Sequence, residues 1–263
     1  MSPHSSQGPT PLHPLLEAQG LEVAFDGGAP VVSGVSLAFG EGELTVLAGR
    51  NGAGKTVFAK CLAGLIPARA GSILFRGSDA SRLQGSPASR IAYLYQDARI
   101  QILGDSALDD VLFGLAATGV AASKAEERAV QALESVGLGD RAGAIPYQLS
   151  GGEQRRLAIA SVLVLEPAVL ILDEPFANLD WASVSSVLAI LLALKARGRS
   201  LVILTHELDK VLALADRLVI FDSGRVVAEG EPGTVLGSGV EGFGLRDPLR
   251  RAAALGDLSW LEA

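Results

Sequence analysis

The chain has 263 residues, 49% of them apolar, enough to bury one large domain or a domain with a small appendage. A formal net charge of −7, with no Lys- or Arg-rich block, lacks the electrostatic footprint of a phosphate-backbone binder, so no nucleic-acid partner is expected. The single cysteine, Cys61, excludes an internal disulfide and a Cys-rich metal site and fits a reducing compartment; it reads as a small buried side chain on a helix.

Residues 1–14, MSPHSSQGPTPLHP, carry neither a basic n-region nor an apolar h-region, so a disordered tail is expected rather than a secretory signal. Leu21–Phe25 and Val35–Phe39 read as strands of a small half-buried sheet. Leu44 to Gly49, LTVLAG, is a short apolar run ending at glycine, the pattern of a strand buried on both faces. AVLILD (168–173) and SLVILTH (200–206) repeat that pattern. From about Gln96 to Leu149 lies a polar, helical stretch in which SKAEERAVQALESVG predicts a helix. Ser123 and Glu126 would form its capping box, Val130, Leu133 and Val136 its apolar face, and Gly137 its stop. HELDKVLALADRLVIFDSGRVVAEG predicts a helix and two strands that complete the core. After Gly230 a short helical appendage is expected, in which Trp260 and Leu261 form either a docking surface or part of a helix packed on its own domain. Interleaved strands and helices imply an α/β fold with a mostly parallel sheet, whose ligands sit at the carboxyl ends of the strands. The longest apolar runs, such as VLAILLAL (187–194), fall short of the roughly 18–20 residues that cross a bilayer, so a membrane role would run through a partner.

Gly49 to Thr56, GRNGAGKT, fits G-x-x-x-x-G-K-[ST] between a buried strand and a helical run. Backbone amides from Asn51 through Gly52, Ala53 and Gly54 to Lys55 would wrap a β-phosphate at a helix amino terminus. Lys55 would reach the β- and γ-phosphates, and Thr56 would ligate Mg2+. By itself this loop leaves kinases, GTPases and transport ATPases open. Asp173 and Glu174 end the second buried strand, where the first suits a water-mediated Mg2+ contact and the second a general base acting on water. His206 ends the third strand, beside the same γ-phosphate, and would link it to Glu174. LSGGEQ supplies a second anion-binding helix end: Ser150 and Glu153 form a capping box, and the amides of Gly151 and Gly152 are unobstructed. Because the P-loop already surrounds the phosphates of its own subunit, this second end is expected to grip the nucleotide of another copy.

LSGGEQ, with GRNGAGKT, LILDEP, NLD and the strand-end histidine, resembles the nucleotide-binding subunit of ABC transporters over about residues 15–230. The resemblance implies a P-loop ABC ATPase core with an N-terminal antiparallel β subdomain, an inserted helical subdomain over about 97–165, and an extension over 231–263. It implies ATP and Mg2+ as ligands and a head-to-tail dimer with a second ATPase subunit. It makes Asp180 a D-loop residue crossing the interface, His206 the switch histidine, Gln96 the Q-loop glutamine that senses Mg2+, and Phe25 the aromatic that stacks on adenine. The alternative for Phe25 is an ordinary core residue. Val57 stands where the family often has a hydroxyl contacting the α-phosphate, so its backbone amide alone would bind there.

Gln96, Gln101 and DDVLFG (109–114) further resemble the energy-coupling-factor ATPases and their cobalt-transport relatives, which power uptake of vitamins or of cobalt and nickel through a transmembrane coupling protein. Ala98, Arg99 and Ile100 depart from that pattern. The resemblance places the subunit on the cytoplasmic face of the membrane, contacting the coupling protein through 96–114. There Asp97, Asp105, Asp109 and Asp110 would receive arginines while Ile102, Leu103 and Phe113 supply apolar contact. The same aspartates read alternatively as helix caps, with Asp105 or Ser106 as an N-cap. The other readings of the whole chain are a subunit of another ABC importer or exporter, and a soluble ABC ATPase of repair, assembly or translation, which would call for coiled-coil insertions, tandem cassettes, Cys clusters or basic surfaces.

Overall fold

The computed structural model describes residues 14–80, 91–116 and 118–250, together with 252, 254–258 and 260. The tail expected over 1–14, apart from Pro14, and Leu261 lie outside the described residues.

The chain opens with β1 (Leu16–Val23) and β2 (Val32–Phe39), paired antiparallel so that Leu16 faces Phe39. The first strand thus starts five residues earlier than its sequence suggests and ends before Phe25. A turn closed by the Gly28 amide on the Phe25 carbonyl, with Asp26 and Gly27 at positive φ, stops it there. Then come β3 (Leu44–Ala48) and α1 (Lys55–Leu62), which buries Cys61. β4 (Ala70–Phe75) and β5 (Ser78–Asp79) join the first two strands in an antiparallel sheet of order β2-β1-β4-β5.

β6 (Ile91–Leu94) leads into the helices α2 (Ala107–Ala116), α3 (Ala122–Ser135) and α4 (Gly151–Leu163). Ser123 does not cap α3, because the helix already starts at Ala122; Ala121 takes the N-cap position with no side-chain bond, so no capping box with Glu126 forms. The buried stripe of α3 is Ala129, Leu133 and then Val136, with Val130 half-buried beside it, and Gly137 at φ 70° ends the helix. β7 (Val169–Asp173), α5 (Trp181–Ala196), β8 (Ser200–Thr205), β9 (Arg217–Asp222) and β10 (Arg225–Gly230) complete the main sheet. Its order is β10-β9-β3-β8-β7-β6, parallel except for β10. Every residue of β3, β7 and β8 is buried, as helices on both faces of a parallel sheet require.

Between β8 and β9 the expected helix is replaced by two 3₁₀ turns, Leu208–Lys210 and Leu212–Leu214, broken where Val211 leaves the helical region at φ −131°. The span is too tethered for a helix: Leu208, Val211 and Leu212 are buried, and the Asp216 amide already bonds the Leu44 carbonyl. Among the described residues after Gly230 only α6 (Pro232–Gly237) is α-helical; 3₁₀ turns at Glu241–Phe243, Pro248–Arg250 and Leu255–Leu258 follow. Val235, Leu236, Val240 and Leu245 are buried in the main core, and Trp260 packs against it with the Lys210 ammonium 5.6 Å from its ring centre. Trp260 is therefore a packing residue of its own domain. Among the described residues no helix is long and apolar enough to cross a membrane.

Candidate active site

Sheet register brings the chemistry to one edge. Ala48 of β3 lies opposite Thr205 of β8, and Leu204 of β8 lies opposite Asp173 of β7, so three strand ends stand level although they come from distant parts of the chain. The loop from Gly49 to Gly54 turns off the first of them. A side chain at Gly49 (φ 150°) would place Cβ 2.2 Å from the Phe221 carbonyl, and one at Gly54 (φ 100°) would sit 2.8 Å from the Val31 carbonyl, so only glycine closes this loop. The Ala53 amide bonds the Arg50 carbonyl, and the Ala53 carbonyl accepts from Gly224, leaving Asn51 and Gly52 at the exposed tip. The first-turn amides of α1, Lys55, Thr56 and Val57, have no intrahelical acceptor and lie at the positive end of the helix dipole. The Val57 side chain packs against the apolar core, so this position presents only its backbone.

Lys55 is buried and donates through Nζ to the carbonyls of Gly49 (2.6 Å) and Arg50 (3.2 Å), which fixes the ammonium under the loop with a third N–H to spare. Burial lowers its pKa, opposed by the charges of Glu174 and Asp173. Asp173 accepts from Thr56 Oγ1 at 3.2 and 3.1 Å and from Tyr93 Oη at 2.7 Å. Burial, then the Asp173 charge, push the Tyr93 pKa upward, so this hydroxyl stays a donor. Thr56 and Asp173 form a pair of hard oxygen ligands, and among the described residues no cluster of three His, Cys, Asp or Glu exists. That donor set fits Mg2+, which keeps waters and phosphate oxygens rather than an all-protein cage. Gln96 is exposed and lines the same cleft as Thr56 and Asp173.

Glu174 is 6% exposed and sits at φ 45°, a left-handed conformation held by its amide bonding the Leu204 carbonyl. Its carboxylate accepts from Thr205 Oγ1 (3.1 Å) and pairs with His206 Nδ1 (2.8 Å); the imidazole is half exposed. Both partners fix the carboxylate, yet only the histidine was legible beforehand. Tyr93 and Thr205 carry no motif and are seen only once the strands are aligned.

The Ser150–Glu153 capping box at the start of α4 is present with both bonds, and the one donated by the Ser150 amide to the carboxylate draws the Glu153 pKa down. Gly151 is exposed, whereas Gly152 lies against Ser183, where a Cβ would come within 2.2 Å of Oγ. The Ser183 amide in turn bonds Asp180 Oδ1 (2.9 Å), which caps α5 and lowers the Asp180 pKa. Signature and D-loop residues are thus packed into one surface. Phe25 is 50% exposed and so is not a core residue; its turn leads to Val31, whose carbonyl faces Gly54.

In the 96–114 segment two of the expected contact residues, Asp110 and Ile102, turn inward. Asp110 is 4% exposed, and its carboxylate accepts from the amides of Leu103 (2.6 Å) and Gly104 (3.0 Å) and from Ser161 Oγ (2.5 Å), so it holds its own chain rather than a partner's arginine. Ile102 likewise packs inward. Asp97 caps the turn at Ala98–Ile100 and pairs with Arg99, and Ser106 caps α2 through the Asp109 amide. Facing outward are Ile100, Leu103 and Phe113 with Asp105, Asp109 and the Asp97-paired Arg99.

Residues 32–177, more than half of the chain, match the family described as ABC transporter. The chain belongs to the ABC transporter family. It is 36% identical over 241 residues to the cobalt import ATP-binding protein CbiO of Rhodobacter capsulatus, covering 90% of this chain and 86% of that protein. It is 34% identical over 244 residues to the energy-coupling factor transporter ATP-binding protein EcfA2 of Methanospirillum hungatei, covering 92% and 60%. Among solved structures, CbiO1 of Clostridium perfringens, described as part of the ABC transporter complex cbiONQ, superposes with a TM-score of 0.79 at 29% identity, covering 94% and 98%. This ABC ATPase therefore has the fold its motifs imply, it resembles the energy-coupling-factor and cobalt-transport group, and ATP is its substrate.

Proposed function

We propose that this ABC ATPase binds Mg2+–ATP between its own phosphate loop and the signature of a second ATPase subunit, and hydrolyses it with Glu174 as general base. The observation that carries this is the junction of Lys55, Thr56 and Asp173 with Glu174, itself held by Thr205 and His206. Lys55 and the amides from Asn51 to Val57 hold the phosphates. Thr56, Asp173 and Gln96 would hold Mg2+, which would supply charge compensation for the phosphates. Water attacks the γ-phosphorus, the bond to the ADP oxygen breaks, and Glu174 takes the water proton. His206 pairs through Nδ1 with Glu174, and its Nε2 reaches the γ-phosphate as a donor when the ring carries both protons. Phe25 stacks on adenine, and Ser150, Gly151, Gly152, Glu153 and Asp180 serve the partner's nucleotide.

For Phe25→Ala, loss of about 1–2 kcal/mol of stacking raises the KM for ATP about tenfold with kcat unchanged. Steady-state kinetics decide the point, and an unchanged KM removes adenine stacking from the scheme.

We further infer that the subunit works on the cytoplasmic face of the membrane within an energy-coupling-factor type importer of a vitamin or of cobalt or nickel. The names of its relatives and the exposed Ile100, Leu103 and Phe113 beside Asp105 and Asp109 support this reading. That surface suits a basic, amphipathic coupling helix. Reversing charge with Asp105→Lys and Asp109→Lys abolishes co-purification with membrane proteins while leaving ATP binding intact. Retained membrane association would discard the arginine-docking surface, and absence of any membrane protein with the unsubstituted chain would discard transport.

A further inference from the structure

We propose that Arg155, just inside the signature helix, is the positioning residue that sets the orientation of Gln96. Arg155 is 4% exposed on α4, and its guanidinium donates Nη1 to the Tyr95 carbonyl (2.7 Å) and Nη2 to the Gln96 carbonyl. In an extended strand successive carbonyls point to opposite sides. Here a single planar fork takes two in succession, so it ends β6 at Leu94 and rotates the peptides on both sides of Gln96 into the cleft that Thr56 and Asp173 line.

A purely structural arginine would be expected to meet a carboxylate, because a buried cation is costly unless paired. Among the described residues Arg155 makes no direct ion pair, the charges of Asp97 and Asp173 acting on it only at longer range, and its Nε is buried with no hydrogen-bond partner. The charge is retained for what a neutral side chain does less well, gripping two adjacent carbonyls at a fixed angle. Further along α4, Ser161 holds Asp110, which gathers the amides of Leu103 and Gly104. The signature helix thus grips the 95–110 segment at both ends, and a shift of its amino terminus carries Gln96 with it.

The inference rests on the reading of Gln96 as a nucleotide-site residue, and the experiment separates the two. In the purified full-length chain, kcat, the KM for ATP and the half-maximal Mg2+ concentration are measured for Gln96→Ala, Arg155→Gln, Arg155→Lys and the Gln96→Ala/Arg155→Gln double variant. Loss of a residue that orients a metal-site ligand costs about tenfold. Gln96→Ala and Arg155→Gln each lower kcat by about that factor and raise the Mg2+ requirement, with KM for ATP within about twofold. Arg155→Lys, which keeps one donor arm, recovers part of the loss, and the double variant is no slower than Gln96→Ala alone. Losses that multiply in the double variant, or an effect on KM instead of kcat, overturn the proposal. A silent Gln96→Ala overturns the reading of Gln96 itself, whereas a slow Gln96→Ala beside a normal Arg155→Gln overturns only the role of Arg155. Should Arg155→Gln lose its thermal transition, the same cycle with Arg155→Lys decides.

Discussion

Glu174→Gln leaves ATP bound and slows its hydrolysis by about 10²–10⁴-fold, the range general-base catalysis contributes. Glutamine keeps the shape and can still accept from Thr205 Oγ1, so the loop and its left-handed backbone survive. What it loses is the ability to take a proton from water, and with it the charge that pairs with His206. Phosphate release in single and multiple turnover reads the rate, and gel filtration with ATP reads assembly. Uncleaved ATP should then hold two subunits together. Hydrolysis within about tenfold of the unsubstituted rate would remove Glu174 as the base, and an ATP-loaded monomer would remove the shared site.

Lys55→Met is expected to weaken ATP binding about 10- to 100-fold without harming the fold. The ammonium is buried against two carbonyls and its pKa is lowered by that burial, so removing the charge relieves a desolvation cost. Methionine keeps the apolar stem under the loop. Losing a charge-assisted contact worth about 1.5–3 kcal/mol weakens binding about 10- to 100-fold. In a thermal-shift titration, ATP at a hundredfold excess over its Kd stabilises the unsubstituted chain by about 2.7 kcal/mol. At the same ATP concentration the variant gains about 0.4 kcal/mol at the weak end of that range, with its ligand-free transition unmoved. An unchanged ATP shift would show that the amides of the loop suffice.

The parts of this molecule that could be read from its residues are those whose chemistry is local. GRNGAGKT, LSGGEQ and the run ending in Asp173 and Glu174 each carry their own reason in a few adjacent residues, and the doubly buried strands announce themselves as apolar runs. What escaped depends on partners far away in the chain. β4 and β6 are short and ordinary in composition, and become strands only by pairing with β1 and β7. Tyr93 and Thr205 matter through Asp173 and Glu174, and Arg155 through two carbonyls sixty and fifty-nine positions earlier. Asp110 misled because a carboxylate in a charged stretch looks solvated until Ser161 and two amides are seen closing around it. Ser123 misled for the opposite reason: its capping box is a sound local pattern, but the helix starts one residue too early for it.

The order of strands in the main sheet also dictates when the protein can begin to work. β3, which feeds the phosphate loop, and β7, which ends in the carboxylates, are not neighbours; β8 lies between them. A nascent chain still held at Arg199 has made both motifs and the signature, yet lacks the strand that seats one against the other and the Thr205 and His206 groups that steady Glu174. The phosphate loop and the carboxylates are therefore seated against each other only when residues 200–205 pair between them. A chain ending before them carries the phosphate loop, the signature and the carboxylates, but neither His206 nor the strand that joins them.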